Sequence, residues 1–275
     1  MSCGWHLSIF GFDVELSLAS ASSLYIHEEI IPSLLDKLVR DIKIDGVFKD
    51  PIIVDLNSMV VLDGMHRVAA SRKLGLKWVP VCYLNYMDNK VHVHSWWRCI
   101  SGSNLREFVE GNFKVEFLGR DRFNEYVSQS PLLVFRDGFH IFNFNDVFEG
   151  FKHVKFLEET FSDAGFTIDY DVESDAISKL DSGLCSAVLT LPYISKDYIV
   201  SLALSNKVLP HKSTRHVLPY RPMNVNVPLS ILLIDDFKSA VSRFISIINS
   251  RKASLYPPGH VLDRRYDEYL YVFEG

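Results

Sequence analysis

The chain has 275 residues, a length that suits two domains better than one. Apolar residues make up 48% and charged residues 23%, enough to build a packed core and too apolar for a disordered chain. The formal net charge of −5 argues against a partner such as a nucleic-acid backbone, whose ligands usually carry a basic excess.

The first segment holds Asp13 and Glu15 and lacks the basic start and apolar stretch of a secretion signal. No apolar run approaches the roughly 18–20 residues that a spanning helix needs. The four cysteines, Cys3, Cys82, Cys99 and Cys185, are far apart and form no CxxC pair, so a thiolate metal site is not expected. Cys82 lies in the apolar run Val79–Leu84 and reads as a small buried hydrophobe. These features predict a cytoplasmic protein with reduced thiols and no membrane partner.

Ile31, Leu34, Leu35, Leu38, Val39 and Ile42 recur at three- and four-residue spacing, which predicts a helix after Tyr25 that stops at Gly46. Two apolar runs, Pro51–Leu56 and Met59–Leu62, are split by Asn57-Ser58 and read as a hairpin. Asp63-Gly64 breaks the second strand, Met65–Leu74 is rich in helix formers, and Gly75 caps it. Trp78–Leu84 is a further strand, and the alternation Val91, Val93, Ser95 suggests another. After about Ser101 aromatics thicken, and the second half reads as strand-rich. A second hairpin is expected around Asp137-Gly138, a buried strand over Leu184–Leu191, and a helix from Ser195 to Leu204. Asp235–Asn249 reads as a late amphipathic helix, and no repeat or low-complexity tract is visible.

The informative corner is Val60-Val61-Leu62-Asp63-Gly64-Met65-His66-Arg67. A strand that runs through a tight turn straight into a helix aims backbone N–H groups and the positive end of the helix dipole at one point, where a phosphate binds well. Gly64 allows close backbone approach, and His66 and Arg67 can add charge-assisted hydrogen bonds. Asp63 offers carboxylate oxygens to a magnesium ion. The same residues also suit an ordinary strand–turn–helix corner with a solvated His-Arg pair, and spacing alone leaves both readings open.

Residues 24 to 97 resemble the core of the ParB/sulfiredoxin superfamily. The match runs through His27-Glu28-Glu29, Asp45-Gly46-Val47, Pro51-Ile52-Ile53-Val54-Asp55, Leu62-Asp63-Gly64-Met65-His66-Arg67, Leu74-Gly75 and Val79-Pro80-Val81. The resemblance implies that Gly64, Met65, His66 and Arg67 bind nucleotide phosphates. A sulfiredoxin needs a cysteine where Met65 stands, and a thioether cannot form the thiol intermediate. ParB-type partition proteins carry a Gly-Glu-Arg-Arg box and a helix-turn-helix, whereas this chain has Gly-Met-His-Arg and no such pattern.

Two further segments, Ser95-Trp96-Trp97-Arg98 and Leu209-Pro210-His211-Lys212-Ser213-Thr214-Arg215-His216-Val217, are similar to those of the free L-serine kinase branch. That similarity implies an enzyme that transfers phosphate from ADP or ATP, with Mg2+, to free L-serine, and a product that feeds cysteine biosynthesis. Glu28 is then the general base, with Glu29 as its rival, and Asp63 orients the hydroxyl or holds the metal. Lys212, Ser213, Thr214, Arg215 and His216 form the substrate-binding segment, and Trp97 walls the pocket. On the residues alone, Glu28 reads rather as a helix-start carboxylate, Lys212–His216 as an exposed basic loop, and Trp97 as a packing aromatic. Arg264-Arg265 reads either as a phosphate contact or as a surface pair. His92, His94 and His153 show no ligand spacing and receive no role.

The resulting expectation is an α+β protein. A ParB/sulfiredoxin-like nucleotide domain spans 1–101, a substrate-binding α+β domain spans 102–275, and the active site lies in a cleft that closes on binding. A non-catalytic nucleotide-binding regulator, or a DNA-binding protein, is the alternative.

Overall fold

Phe12, Val14, Leu16 and Leu18 alternate with polar neighbours and are buried, so the chain opens with a hairpin. Strand β1 (Trp5–Ile9) pairs antiparallel with β2 (Phe12–Ala19) around a Phe10-Gly11 turn. The alternation of buried and polar residues over Phe12–Ala19 is the local signal for this hairpin. Next comes helix α1 (Pro32–Asp45), with proline in its first turn and Gly46 as its left-handed cap. Short strand β3 (Val47–Phe48) leads to the predicted hairpin, β4 (Ile52–Asp55) and β5 (Val61–Asp63). Helix α2 (Met65–Leu74) and strand β6 (Val79–Leu84) follow as read. The sheet runs β1-β2-β6-β4-β5, with β4 and β6 parallel. Asp63 therefore ends an edge strand at the mouth of α2.

The computed structural model describes residues 4–262 and 265–274, which fall into two compact units. The first unit contains residues 1–92, 196–208 and 216–275, and the second contains 93–195 and 209–215. The sequence reading expected a single cut at 101; the chain instead returns to the first unit twice. The reason is strand pairing. Trp97–Ser101, expected in the first domain, is paired on both edges within the second unit's sheet.

Late in the chain the first unit adds a second sheet, in which Tyr220–Met223 runs parallel to Tyr269–Glu274 and Lys252–Tyr256 runs antiparallel to it. The Tyr220 hydroxyl donates to the carbonyls of Leu7 (2.9 Å) and Phe12 (3.0 Å), tying this sheet to the opening hairpin. Cys82 is fully buried, and burial pushes its thiol up to about 12, as suits an inert core residue.

The second unit is a six-stranded antiparallel sheet with helices, less strand-dominated than its aromatic content suggested. The Asp137-Gly138 hairpin forms as read, between Leu132–Val134 and Gly138–Ile141. Helix Val147–Asp163 was overlooked: Asp146 caps it by accepting from the Glu149 N–H at 3.1 Å. Its Phe151, Val154, Leu157 and Phe161 face the core, each contributing about 1.5–3 kcal/mol of burial. Among the described residues, no helix is long and apolar enough to cross a membrane.

Candidate active site

The corner between β5 and α2 is built by the backbone. Gly64 sits at φ 102°, a left-handed value that few L residues adopt, and a Cβ there would lie 2.8 Å from Arg67 Nε. No side chain caps α2, and its first internal bond is from the Val68 N–H to the Gly64 carbonyl at 3.0 Å. The N–H groups of Met65, His66 and Arg67 therefore precede the helix's own hydrogen-bond ladder and point out of its positive end.

Side chains then fix the corner. Arg67 Nη1 donates to the carbonyls of Asp50 (3.1 Å) and Pro51 (3.0 Å), and Nη2 donates to Asp63 Oδ2 (3.0 Å). Three of the five guanidinium protons are thus spent on the protein. Asp63 Oδ2 accepts a second guanidinium, Nη1 of the buried Arg221, at 2.6 Å. Among the described residues no group of three or more His, Cys, Asp or Glu could hold a metal, so a magnesium ion at Asp63 would depend on the donor phosphates as well.

The segment before α1 runs along this corner. Tyr25 bridges to Val60, and the Val61 N–H donates to the Tyr25 carbonyl at 2.8 Å. His66 Nε2 accepts from the Ile31 N–H at 2.9 Å, so that nitrogen carries no proton and the ring is oriented by the backbone. Between these ties lies Glu28, only 6% exposed, whereas Glu29 is half-buried. Burial separates the two glutamates that the sequence left as rivals.

His216 belongs to the same unit. Its Nε2 lies 2.8 Å from the Tyr86 hydroxyl, and its ring meets His27 edge-on at 5.5 Å between centroids. Burial lowers His27 to about 4. Burial, then the neighbouring His27, holds His216 well below the ordinary histidine range, although Asp63 pulls the other way. Both rings are neutral at pH 7.

Leu209–Arg215 of the same segment lies in the second unit, since the division falls between Arg215 and His216. There the Ser213 hydroxyl donates to the Pro210 carbonyl at 2.7 Å and closes a turn, while Lys212 takes a left-handed φ of 61°. Fully buried Arg98 pairs with Glu158 and donates to the carbonyls of Lys212 (3.2 Å) and His211 (3.4 Å). Lys212 Nζ lies 4.2 Å and Arg215 Cζ 5.9 Å from the Trp96 ring centroid. Thr214 is buried beside them in the chain.

No family model matches the chain. The chain is 30% identical over 231 residues to an ATP-dependent L-serine kinase of Staphylothermus marinus, covering 80% of this chain and 92% of that one. The chain belongs to the L-serine kinase family. It is also 27% identical to the ADP-dependent L-serine kinase SerK of Thermococcus kodakarensis, over 75% of this chain and 88% of that one. A solved free serine kinase, a glutamate variant in complex with ADP, has a TM-score of 0.67 at 24% identity, covering 79% of this chain and 93% of that chain. That likeness shows a shared fold, of the mixed α+β kind expected from the sequence.

Within this L-serine kinase family member, the structure gathers Glu28, Asp63, Gly64, Met65, His66, Arg67 and His216 in the first unit. Lys212, Ser213, Thr214 and Arg215 are together in the second. Trp97 is different: only 6% exposed, it packs in that unit's core with Cys99, Leu132 and Phe139. Trp97 thus lies in a packed core, and the ring that meets Lys212 and Arg215 is Trp96. Arg221 and Glu268 were overlooked altogether, because nothing local marks residues that act 158 and 205 positions away. Arg264, half of the arginine pair named above, lies outside the described residues, and Cys3 does too.

Proposed function

We propose that the protein is a free L-serine kinase, which transfers a phosphoryl group from ADP or ATP to the serine hydroxyl and releases O-phospho-L-serine. The observation that carries this reading is the uncapped start of α2 at Gly64, bracketed by buried Glu28 and the Asp63–Arg67 pair in a member of this family.

In this reading the N–H groups of Met65, His66 and Arg67 cradle the donor phosphates, and the two uncommitted guanidinium protons of Arg67 offset their charge. Asp63 holds Arg67 in place. Glu28 takes the hydroxyl proton as the new P–O bond forms, a contribution of about 10²–10⁴-fold for a well-placed base. His216, kept neutral by burial, is a hydrogen-bond partner and not a charge. Lys212, Arg215 and Thr214 suit the serine carboxylate, with Trp96 flanking them and Ser213 shaping the turn. Asp63 is the candidate carboxylate for a magnesium ion brought with the donor nucleotide, which would offset the charge on the phosphates. Both substrates are small soluble metabolites, in keeping with a cytoplasmic enzyme, and the product is an activated serine suited to cysteine biosynthesis.

The test is Glu28→Gln, followed by phosphorus NMR with ADP or ATP and a panel of hydroxy amino acids. Phosphoserine formation falls by at least about 10²-fold while nucleotide affinity is kept. A wild-type protein that turns over no hydroxy amino acid with either nucleotide refutes the reading.

A further inference from the structure

The first unit contains a line of four alternating charges that ends at the phosphate corner. Arg221, on strand Tyr220–Met223, is 4% exposed, and Glu268 is 6% exposed. Arg221 Nε donates to Glu268 Oε1 at 2.5 Å, Nη1 to Asp63 Oδ2 at 2.6 Å, and Nη2 to the His216 carbonyl at 3.3 Å. The other oxygen of Glu268 accepts from the Leu218 N–H at 2.8 Å. Asp63 passes the line to Arg67 at 3.0 Å. Burial works against a charge on Arg221, but Glu268 and Asp63 more than offset it and hold the guanidinium firmly protonated.

The placement follows from strand register. Tyr220 pairs with Tyr269 and Arg221 with Leu270 in a parallel ladder, so Glu268 enters the sheet just beside Arg221. The Tyr220 anchors to Leu7 and Phe12 keep that strand fixed against the opening hairpin. A buried ion pair is a weak source of stability, because desolvation consumes most of its attraction. Its use is orientation. A guanidinium held at three of its nitrogens presents Nη1 in one direction only, and that direction is Asp63 Oδ2.

We propose that Arg221 and Glu268 are positioning residues for phosphoryl transfer. They fix the Asp63 carboxylate, and through it the Arg67 guanidinium, against the donor phosphates. This rests on the reading of the Gly64 corner as the phosphate site. Glu268 keeps Arg221 from drawing Asp63 wholly to itself; without Glu268, Asp63 gives up its hold on Arg67.

The test is a double-mutant cycle of Glu268→Gln with Asp63→Asn. The readouts are kcat and nucleotide KM for phosphoserine formation, nucleotide Kd by fluorescence titration, and Tm. Glu268→Gln lowers kcat/KM or nucleotide affinity by about tenfold when Asp63 is present and by less than about twofold in the Asp63→Asn protein, with equal Tm shifts in both. Equal losses in both backgrounds, or no loss in either, overturn the proposal, because a merely structural pair acts independently of Asp63. Arg221→Lys repeats the cycle if Glu268→Gln does not fold, since a point-like ammonium cannot serve both carboxylates. Absent turnover in the wild type refutes the kinase reading alone, and the affinity cycle then decides the positioning. Absence of both turnover and nucleotide binding overturns both.

Discussion

Replacing Gly64 by alanine probes the corner at its tightest point. A Cβ-bearing residue held at φ 102° costs about 1–2 kcal/mol from the left-handed backbone alone. The added methyl also meets Arg67 Nε at 2.8 Å and Nη2 at 3.0 Å. That guanidinium cannot simply swing aside, because the Asp50 and Pro51 carbonyls and Asp63 hold it. Losing one such charge-assisted bond costs about 1.5–3 kcal/mol. The two contributions together reach about 2.5–5 kcal/mol, a fall in Tm of about 5–15 °C for a chain of this size. Nucleotide affinity falls with it, by about tenfold or more, since each 1.4 kcal/mol of lost phosphate contact is about a factor of ten. Thermal melts and fluorescence titration with ADP and ATP read the two effects. A Gly64→Ala protein that melts within a degree of the wild type and binds nucleotide equally refutes the argument that this backbone conformation builds the phosphate site.

The adjacent tryptophans separate packing from recognition. Trp97→Ala costs about 3–5 kcal/mol in chemical denaturation, as large-to-small core changes do, whereas Trp96→Ala leaves stability nearly intact and raises the serine KM. Equal stability losses for both contradict the assignment. Arg98→Met strands Glu158 and releases the Lys212 and His211 carbonyls. It should destabilise by about 3–5 kcal/mol, and serine KM, not nucleotide KM, should rise with it. His27 sets an acid limit on stability. Its folded value of about 4 lies below 6.5, so between those pH values the unfolded chain binds a proton that the folded chain refuses. Stability is complete above pH 6.5 and falls by about 2 kcal/mol on acidification to pH 5, with His216 acting in the same direction. Denaturation at pH 7 and pH 5 checks this, since His27→Gln should flatten the slope and an unchanged slope would assign the effect elsewhere.

Local rules carried much of this protein. The spacing of Ile31 to Ile42 with Gly46, the run Met65–Leu74 with Gly75, and the Asp137-Gly138 turn each specify an element whose hydrogen bonds close within a few residues. For the same reason the Asp63–Arg67 corner was legible: turn, helix start and arginine are adjacent in the chain. The helix over Val147–Asp163 was masked by aromatics that serve helices and strands alike, although Asp146 and its apolar spacing were present.

What tertiary structure alone decided is which distant residues meet, and on which face. Glu28 and Glu29 are equivalent in sequence, and only packing buries one of them. Trp97 packs in a core while its chain neighbour Trp96 meets Lys212 and Arg215, a difference that only the folded chain shows. Glu268 reaches Asp63 through Arg221 because a parallel ladder near the C-terminus closes over the opening hairpin. Chain entropy opposes such long-range closure, and the burial it brings repays that cost only in the complete fold, so no local pattern records it.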